Sequence, residues 1–251
     1  MGRYATGVIL GLALIAGATP ATAATTVGQV DTGPNPTDCP ALTALVTTSV
    51  SDGNTFTVPA GGVITSWQTN AGPGADQSAK LKIFRSTAAP ATYLVVGQSA
   101  FQPITASLLN GPLPVRIPVQ SGDYVSILTG ASGGPCQTVT ANPADISRAT
   151  TGGPDSANGT NTPFPTPVTK RRANVSAVLE ADADRDGFGD ETQDQCPSDP
   201  SAQGACPVAA APPVPVPTSG GRAAAIKRCK KKFPHGKKRK HCLRKAKRLP
   251  A

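Results

Sequence analysis

The chain has 251 residues, room for one or two domains, with a formal net charge of +9. Both histidines, His235 and His241, stand near the C-terminal end, which excludes a Ser-His-Asp or Cys-His nucleophile and a histidine zinc site from everything before them. Fourteen of the 24 Lys and Arg fall from Arg222 onward, where there is no Asp or Glu, and the residues before them hold 10 basic side chains against 15 acidic ones. An acidic body is therefore joined to a basic tail, and separate partners are expected for each.

Residues 1–23 read as a signal peptide. Arg3 gives the positive start, 7–18 is a continuous run of apolar and small residues, and Pro20-Ala21-Thr22-Ala23 offers an A-x-A site cut after Ala23. The run is too short to span a bilayer with margin. No later segment is long and apolar enough to cross one, and no lipobox cysteine follows. An exported protein is expected, secreted or at the cell surface, with no transmembrane segment after cleavage. Cys39, Cys136, Cys196, Cys206, Cys229 and Cys242 all follow the cut, and an even number in an exported chain reads as disulfides. Six cysteines allow 15 pairings. Their placement suggests three successive units, Cys39–Cys136, Cys196–Cys206 and Cys229–Cys242.

Residues 24–180 are poor in charge and rich in Thr, Val, Ser, Gly and Pro. Short β-prone runs at 42–50, 55–58, 62–68, 80–85, 92–96, 115–119 and 124–128 recur between turn residues such as Asn54, Gly61-Gly62 and Ser121-Gly122-Asp123. Lys80-Leu81-Lys82-Ile83 and Val115-Arg116-Ile117 alternate, the period of half-buried strands in an antiparallel sheet. An all-β domain is predicted, an antiparallel β-sandwich or jelly roll. Pro118 suits an edge strand, because it cannot donate to a ladder. Most of Trp67, Phe56, Phe84, Tyr93, Phe101 and Tyr124 are read as core, the alternative being an exposed Trp or Tyr that stacks on a sugar. Cys39–Cys136 would staple the sandwich end to end, a stabilisation of roughly 4 kcal/mol on chain-entropy grounds. Residues 140–169 read as loop, and 172–180 as one returning strand that hands the chain out of the domain.

Residues 181–206 carry the most specific signal, Asp182-Ala183-Asp184-Arg185-Asp186-Gly187-Phe188-Gly189-Asp190-Glu191-Thr192-Gln193-Asp194-Gln195-Cys196-Pro197. Calcium takes six to eight hard oxygens from a loop able to curl around it. Carboxylates at 182, 184 and 186 can converge, Gly187 permits the turn, and the Phe188 carbonyl can add an oxygen. Asp190 is at the ninth position and Asp194 one place beyond the twelfth. Gln193 stands where an EF-hand needs a bidentate Glu, and no helical pattern precedes the loop, so an EF-hand is disfavoured. Magnesium, which prefers few carboxylates and retained waters, is disfavoured too. The plain alternative is an acidic linker.

These residues resemble the thrombospondin type 3 repeat, D-x-D-x-D-G-x-G-D followed by a further Asp and Cys-Pro, over 182–197. The resemblance implies Asp182, Asp184, Asp186, Asp190 and Asp194 as calcium ligands, with Phe188 through its backbone. One extra residue separates Asp190 from Asp194, the middle cysteine of the vertebrate repeat is missing, and there is a single copy. A modest affinity of the extracellular class, on the order of millimolar or below, is expected. The whole layout also resembles a group of secreted actinobacterial proteins in which a β-sandwich ends in D-x-D-x-D-G-F-G-D-E-T-Q-D-x-C-P and a lysine-rich CKKKFP tail follows. That resemblance covers most of the mature chain and implies no activity.

Residues 207–221 form a Pro-rich linker, a semi-rigid spacer with polyproline II character. In the basic tail, 222–251, good helix formers at 223–232 and 237–249 flank the turn Phe233-Pro234-His235-Gly236. Ile226, Cys229 and Phe233 share one helical face, and Cys242, Leu243, Ala246 and Leu249 another. A small helical hairpin clipped by Cys229–Cys242 is expected. Its Lys227, Arg228, Lys230, Lys231, Lys232, Lys237, Lys238, Arg239, Lys240, Arg244, Lys245, Lys247 and Arg248 should bind polyanions by counterion release, with steep salt dependence. The expected partner is an anionic cell-envelope polymer or polysaccharide, not a specific nucleic-acid sequence. A solvated tail without a dedicated partner is the bland alternative.

Candidates for catalysis are few. Glu180 and Glu191 flank the aspartate loop, and Asp52, Asp76 and Asp123 sit in turn contexts where capping explains them. A glycosidase needs two carboxylates across a cleft, and no glycine-rich phosphate loop occurs. A non-catalytic protein is expected. The first reading is a calcium-binding surface or extracellular adhesion protein whose β domain takes a glycan or protein ligand. The second is a structural matrix or spacer protein with no specific ligand. The outside alternative is a carboxylate-based hydrolase.

Overall fold

The computed structural model describes residues 23–31, 37–153, 155–207 and 221–249. Apart from Ala23, the expected signal peptide lies outside the described residues, as does the expected Pro-rich linker between Pro207 and Gly221. The chain divides into two compact units, Met1–Cys206 and Pro207–Ala251.

The first unit is all-β. Its strands are β1 (Thr25–Gln29), β2 (Thr37–Cys39), β3 (Ala44–Ser49), β4 (Gly62–Asn70), β5 (Ser78–Ser86), β6 (Thr92–Gln98), β7 (Gln102–Pro103), β8 (Leu109–Val119), β9 (Tyr124–Thr129), β10 (Gly134–Val139), β11 (Ile146–Thr150), β12 (Asn161–Pro163), β13 (Thr166–Thr169), β14 (Arg171–Ala173) and β15 (Val175–Glu180). They pair antiparallel in a sandwich of three sheets, ordered β1-β15-β4-β8, β14-β10-β2 and β12-β6-β5-β9-β3-β11-β13, with β7 added to β5. The four-stranded sheet contributes Val27, Ile64, Trp67, Ile117, Ala177 and Leu179 to the core, and the large sheet contributes Leu45, Leu81, Ile83, Val125 and Ile127. Pro112, Pro114 and Pro118 lie on β8, at the edge of its sheet, where the missing donors cost no ladder bond.

Two irregularities set what faces the core. Period-two alternation would send Ile64 and Trp67 to opposite faces. The register shifts between Ile64 and Ser66 against both neighbours of β4, with Thr65 the extra residue against β15 and the surplus on β8 at 115–116, and both large side chains pack inward. The expected strand over 172–180 is broken at Asn174. Its carbonyl accepts from Thr69 Oγ1 at 2.6 Å, and its side chain bonds Asn70 O at 2.6 Å and the Asp31 N–H at 2.9 Å. Those bonds let β14 pair with β10 while β15 pairs with β1 and β4.

Three expectations need correction. Residues 140–169 are not loop throughout but supply β11, β12 and β13, whose Gly-, Pro- and Thr-rich sequence masks short strands. Residues 55–58 form only an isolated bridge, although Phe56 and Val58 are buried. Lys80 and Lys82 do not face solvent: the outer face of the large sheet is covered by a second cluster of Ala44, Val46, Phe84, Tyr93, Val95, Leu128 and Phe164. Phe164 packs edge-to-face on Phe84 and Tyr93, with ring centroids 5.0 and 5.5 Å apart.

The structure has the disulfides Cys39–Cys136, Cys196–Cys206 and Cys229–Cys242. The first joins neighbouring strands, since Cys39 on β2 pairs with Gly134 on β10, and so does not run end to end. In the second unit α1 (Gly221–Lys232) and α2 (Lys237–Ala246) form a hairpin whose turn uses Gly236 at φ 90°. Cys229 and Ala246 are buried, and Leu249, expected on the inner face, is exposed. Among the described residues no helix is long and apolar enough to cross a membrane.

Candidate metal centre

The alternation of β15 sends Val175, Ala177 and Leu179 into the core and leaves Glu180 on the other face. Glu180 is only 1% exposed. Its carboxylate accepts from Thr65 Oγ1 (2.8 Å), Thr192 Oγ1 (2.7 Å) and the backbone N–H groups of Glu191 (3.0 Å) and Thr192 (2.9 Å). Burial by itself would raise its pKa, but the bonds from Thr192, Thr65 and Glu191 outweigh it and hold the group below the usual glutamate value. This side chain ties the aspartate loop to the sheet by three bonds from residues 191–192. Gly189 sits so close that a Cβ there would lie 2.5 Å from Glu180 Oε2 and 2.6 Å from Thr65 Cγ2. Gln193 Nε2 donates to Val115 O at 2.9 Å, and Arg116 stacks over the Phe188 ring at 3.9 Å.

Within the loop, Arg185 (φ 64°) and Gly187 (φ 86°) take left-handed conformations and curl the backbone inward. Asp182, Asp184 and Asp186 then offer carboxylate oxygens that all lie within 4.8 Å of one another. Backbone donors steady them: the Asp186 N–H bonds Asp182 Oδ1 (3.0 Å) and Asp184 Oδ1 (3.3 Å), the Gly187 N–H bonds Asp182 Oδ2 (3.1 Å), and the Phe188 N–H bonds Asp186 Oδ1 (2.8 Å).

Asp190 closes the loop, accepting from the Ala183 N–H at 3.2 Å. Asp194 is 3% exposed; its Oδ1 accepts from the Cys196 N–H at 2.8 Å, while its Oδ2 is buried with no hydrogen-bond partner. Asp184 Oδ2 is likewise buried without a partner. Desolvation and then repulsion from Asp186, Asp194 and Asp182 push the pKa of Asp184 up. Desolvation and repulsion from Asp182, Asp194 and Asp186 do the same to Asp190. The five carboxylates thus feel one another, although only 182, 184 and 186 lie within the short mutual distance. Phe188 is held at its N–H and its ring.

The donors gathered here are hard oxygens, with no imidazole or thiolate among them, and two buried carboxylate oxygens lack a proton donor. That set fits calcium better than a softer metal. Asp182, Asp184 and Asp186 would hold the ion, with Asp194 or Asp190 completing the carboxylate set.

Sequence reasoning missed two supports. Gln203, carried on the loop that Cys196–Cys206 closes, donates to Asp186 Oδ2 at 2.8 Å, and its carbonyl accepts from the Gln195 N–H at 3.0 Å. Glu180 was weighed only as a possible catalytic acid flanking the aspartate loop. Of the carboxylates considered for catalysis, Asp123 is buried in a two-pronged pair with Arg85 (2.7 and 2.9 Å), Asp52 pairs with Arg172 (2.6 Å), and Asp76 sits in a turn at φ 54°.

In the second unit the Lys and Arg of α1 and α2 are exposed, except Arg239, which is half-buried and donates to Pro234 O. No acidic side chain accompanies them. Comparison with protein-family models, with curated proteins and with solved structures finds no match.

Proposed function

We propose that this is a secreted, non-catalytic protein whose loop over 182–194 binds calcium and whose basic hairpin attaches it to anionic polymers of the cell envelope. The observation that carries the reading is the pairing of three converging carboxylates with the buried, partnerless oxygens of Asp184 and Asp194. Calcium would satisfy those oxygens and offset the repulsion among the aspartates. The likeness to a thrombospondin type 3 repeat belongs to the same proposal, as does the likeness to the actinobacterial secreted proteins.

The loop rests on the β-sandwich through Glu180, so calcium would stiffen a surface already docked on the domain. At a calcium concentration ten times the dissociation constant, binding should add about 1.4 kcal/mol to stability. The test is thermal unfolding of the oxidised chain with calcium and with chelator. A raised midpoint with calcium, absent in an Asp184→Ala, Asp186→Ala double variant, is expected; equal midpoints for the native chain in both buffers would reject the reading.

For the β domain, a structural or spacer role has one observation in its favour. Trp67, Phe56, Phe84 and Phe164 are all buried and offer no face on which a sugar could stack, whereas Phe101, expected in the core, is 38% exposed, with Lys80 over its ring.

A further inference from the structure

On β5, Lys80 and Lys82 point to the same outer face of the large sheet, beneath Asp155, Ser156 and Phe164. Both ammonium groups converge on one carboxylate: Asp155 Oδ2 pairs with Lys80, and Asp155 Oδ1 lies 2.8 Å from Lys82 Nζ. Lys80 also bonds Gln98 Oε1 at 3.1 Å and lies 4.4 Å from the centre of the Phe101 ring. Lys82 is 2% exposed, and its second bond goes to Ser156 O at 2.8 Å. An ammonium has three donors, so one remains.

Two nearly buried cations share one anion, Asp155, that lies at the surface, which leaves a positive charge unmatched on the lysine side, and such a charge favours an anionic partner. Beside it lies a cavity of about 310 Å³, lined by Leu42, Phe84, Leu128, Phe164, Lys82 and Thr162 among others. Thr162 Oγ1 is buried and has no hydrogen-bond partner. The exposed wall is mainly apolar, with Lys82, Thr162 and further Thr, Ser and Asn residues between the apolar side chains, the usual composition of a small-ligand pocket. Desolvation, partly opposed by Asp155, also lowers the pKa of Lys82, as it does for a cation short of counter-charge.

We propose that this cavity binds a small apolar monocarboxylate, its body against Phe84, Leu128 and Phe164 and its carboxylate on Lys82 and Thr162. At a liquid-water share of roughly 30 Å³ per molecule, the space holds on the order of ten non-hydrogen atoms, the size of phenylacetate. This site is separate from the aspartate loop and does not depend on calcium.

The experiment is calorimetric titration of the full oxidised chain with phenylacetate, phenylacetamide and acetate, and of Lys82→Met and Thr162→Val variants with phenylacetate. Saturable phenylacetate binding is expected. It should weaken about tenfold or more in Lys82→Met, and phenylacetamide should bind the native chain weaker by a similar factor, because a charge-assisted bond is lost in each case. Thr162→Val should weaken binding less, and acetate, lacking the apolar body, should not saturate. No saturable phenylacetate binding up to about 10 mM overturns the proposal. So does equal affinity for the acid and the amide, which would mean the charge is not read. Equal behaviour of acetate and phenylacetate would assign the signal to the basic tail and overturn it as well. If Lys82→Met does not fold, the comparison of acid with amide on the native chain decides.

Discussion

Glu180 ends β15 and, on the face opposite the core, accepts from the Thr192 hydroxyl and from the Glu191 and Thr192 N–H groups. Replacing it by Ala leaves the Thr65 and Thr192 hydroxyls and two backbone N–H groups without their acceptor. A loss on the order of 3 kcal/mol in urea unfolding is expected. Glu180→Gln, which keeps the shape and part of the acceptance, should lose less; a loss below about 1 kcal/mol for Glu180→Ala would mean the loop is held by other contacts. Asp145 gives the clearest pH dependence. Burial would raise its pKa, but hydrogen bonds from Thr140, Arg172 and Ser51 outweigh burial and bring it from 3.8 to about 2. A carboxyl whose folded value lies below its unfolded value contributes stability above the unfolded value and loses it as pH falls through the folded one. Stability should therefore decline between pH 3.8 and about 2. Asp155 and Glu180 have lowered values too and steepen the same limb. In Asp145→Asn that limb should flatten, and an unchanged slope in unfolding midpoints across this range would contradict the assignment.

At the scale of elements, strands with alternating apolar residues were legible in the sequence: β3, β4, β5, β6, β8 and β9 all fall within or around the runs expected. Short strands that lean on a neighbour were not. β2 and β10 are defined by their mutual pairing and the Cys39–Cys136 bond, and β12 by its register against β6, information that no local pattern carries. The aspartate loop was legible as a ligand set because its side chains must alternate and its glycine must turn. Its anchor was not, since Thr65 and Glu180 are 115 residues apart and meet only when β4 and β15 pair. The helical hairpin was legible from its helix formers and its turn, but it buries few side chains, Cys229 and Ala246 chief among them. Its stability should rest on the Cys229–Cys242 bond, which closes a loop with a sequence separation of 13 and is worth about 3 kcal/mol on chain-entropy grounds. Ser at both positions should lower the helical signal in circular dichroism; an unchanged signal would show that the helices stand without it.

At the scale of the molecule, the aspartate loop falls in the same compact unit as the β-sandwich, and the basic hairpin in another. Charge follows that division, with the acidic side chains in the first unit and fourteen Lys and Arg from Arg222 onward. Retention on an anionic polymer such as teichoic acid should fall steeply with salt and disappear when residues 222–251 are removed; retention unaltered by that deletion would place the contact elsewhere. Calcium binding should be untouched by the same deletion, because the carboxylates lie in the first unit. The most direct test is calorimetric titration of the oxidised chain with calcium, beside the Asp184→Ala, Asp186→Ala variant. The account predicts saturable binding in the native chain that is lost in the variant. No binding up to several millimolar, the weak end of extracellular calcium sites at about 10⁻³ M, would contradict it and leave the loop as an acidic segment held to the sandwich by Glu180.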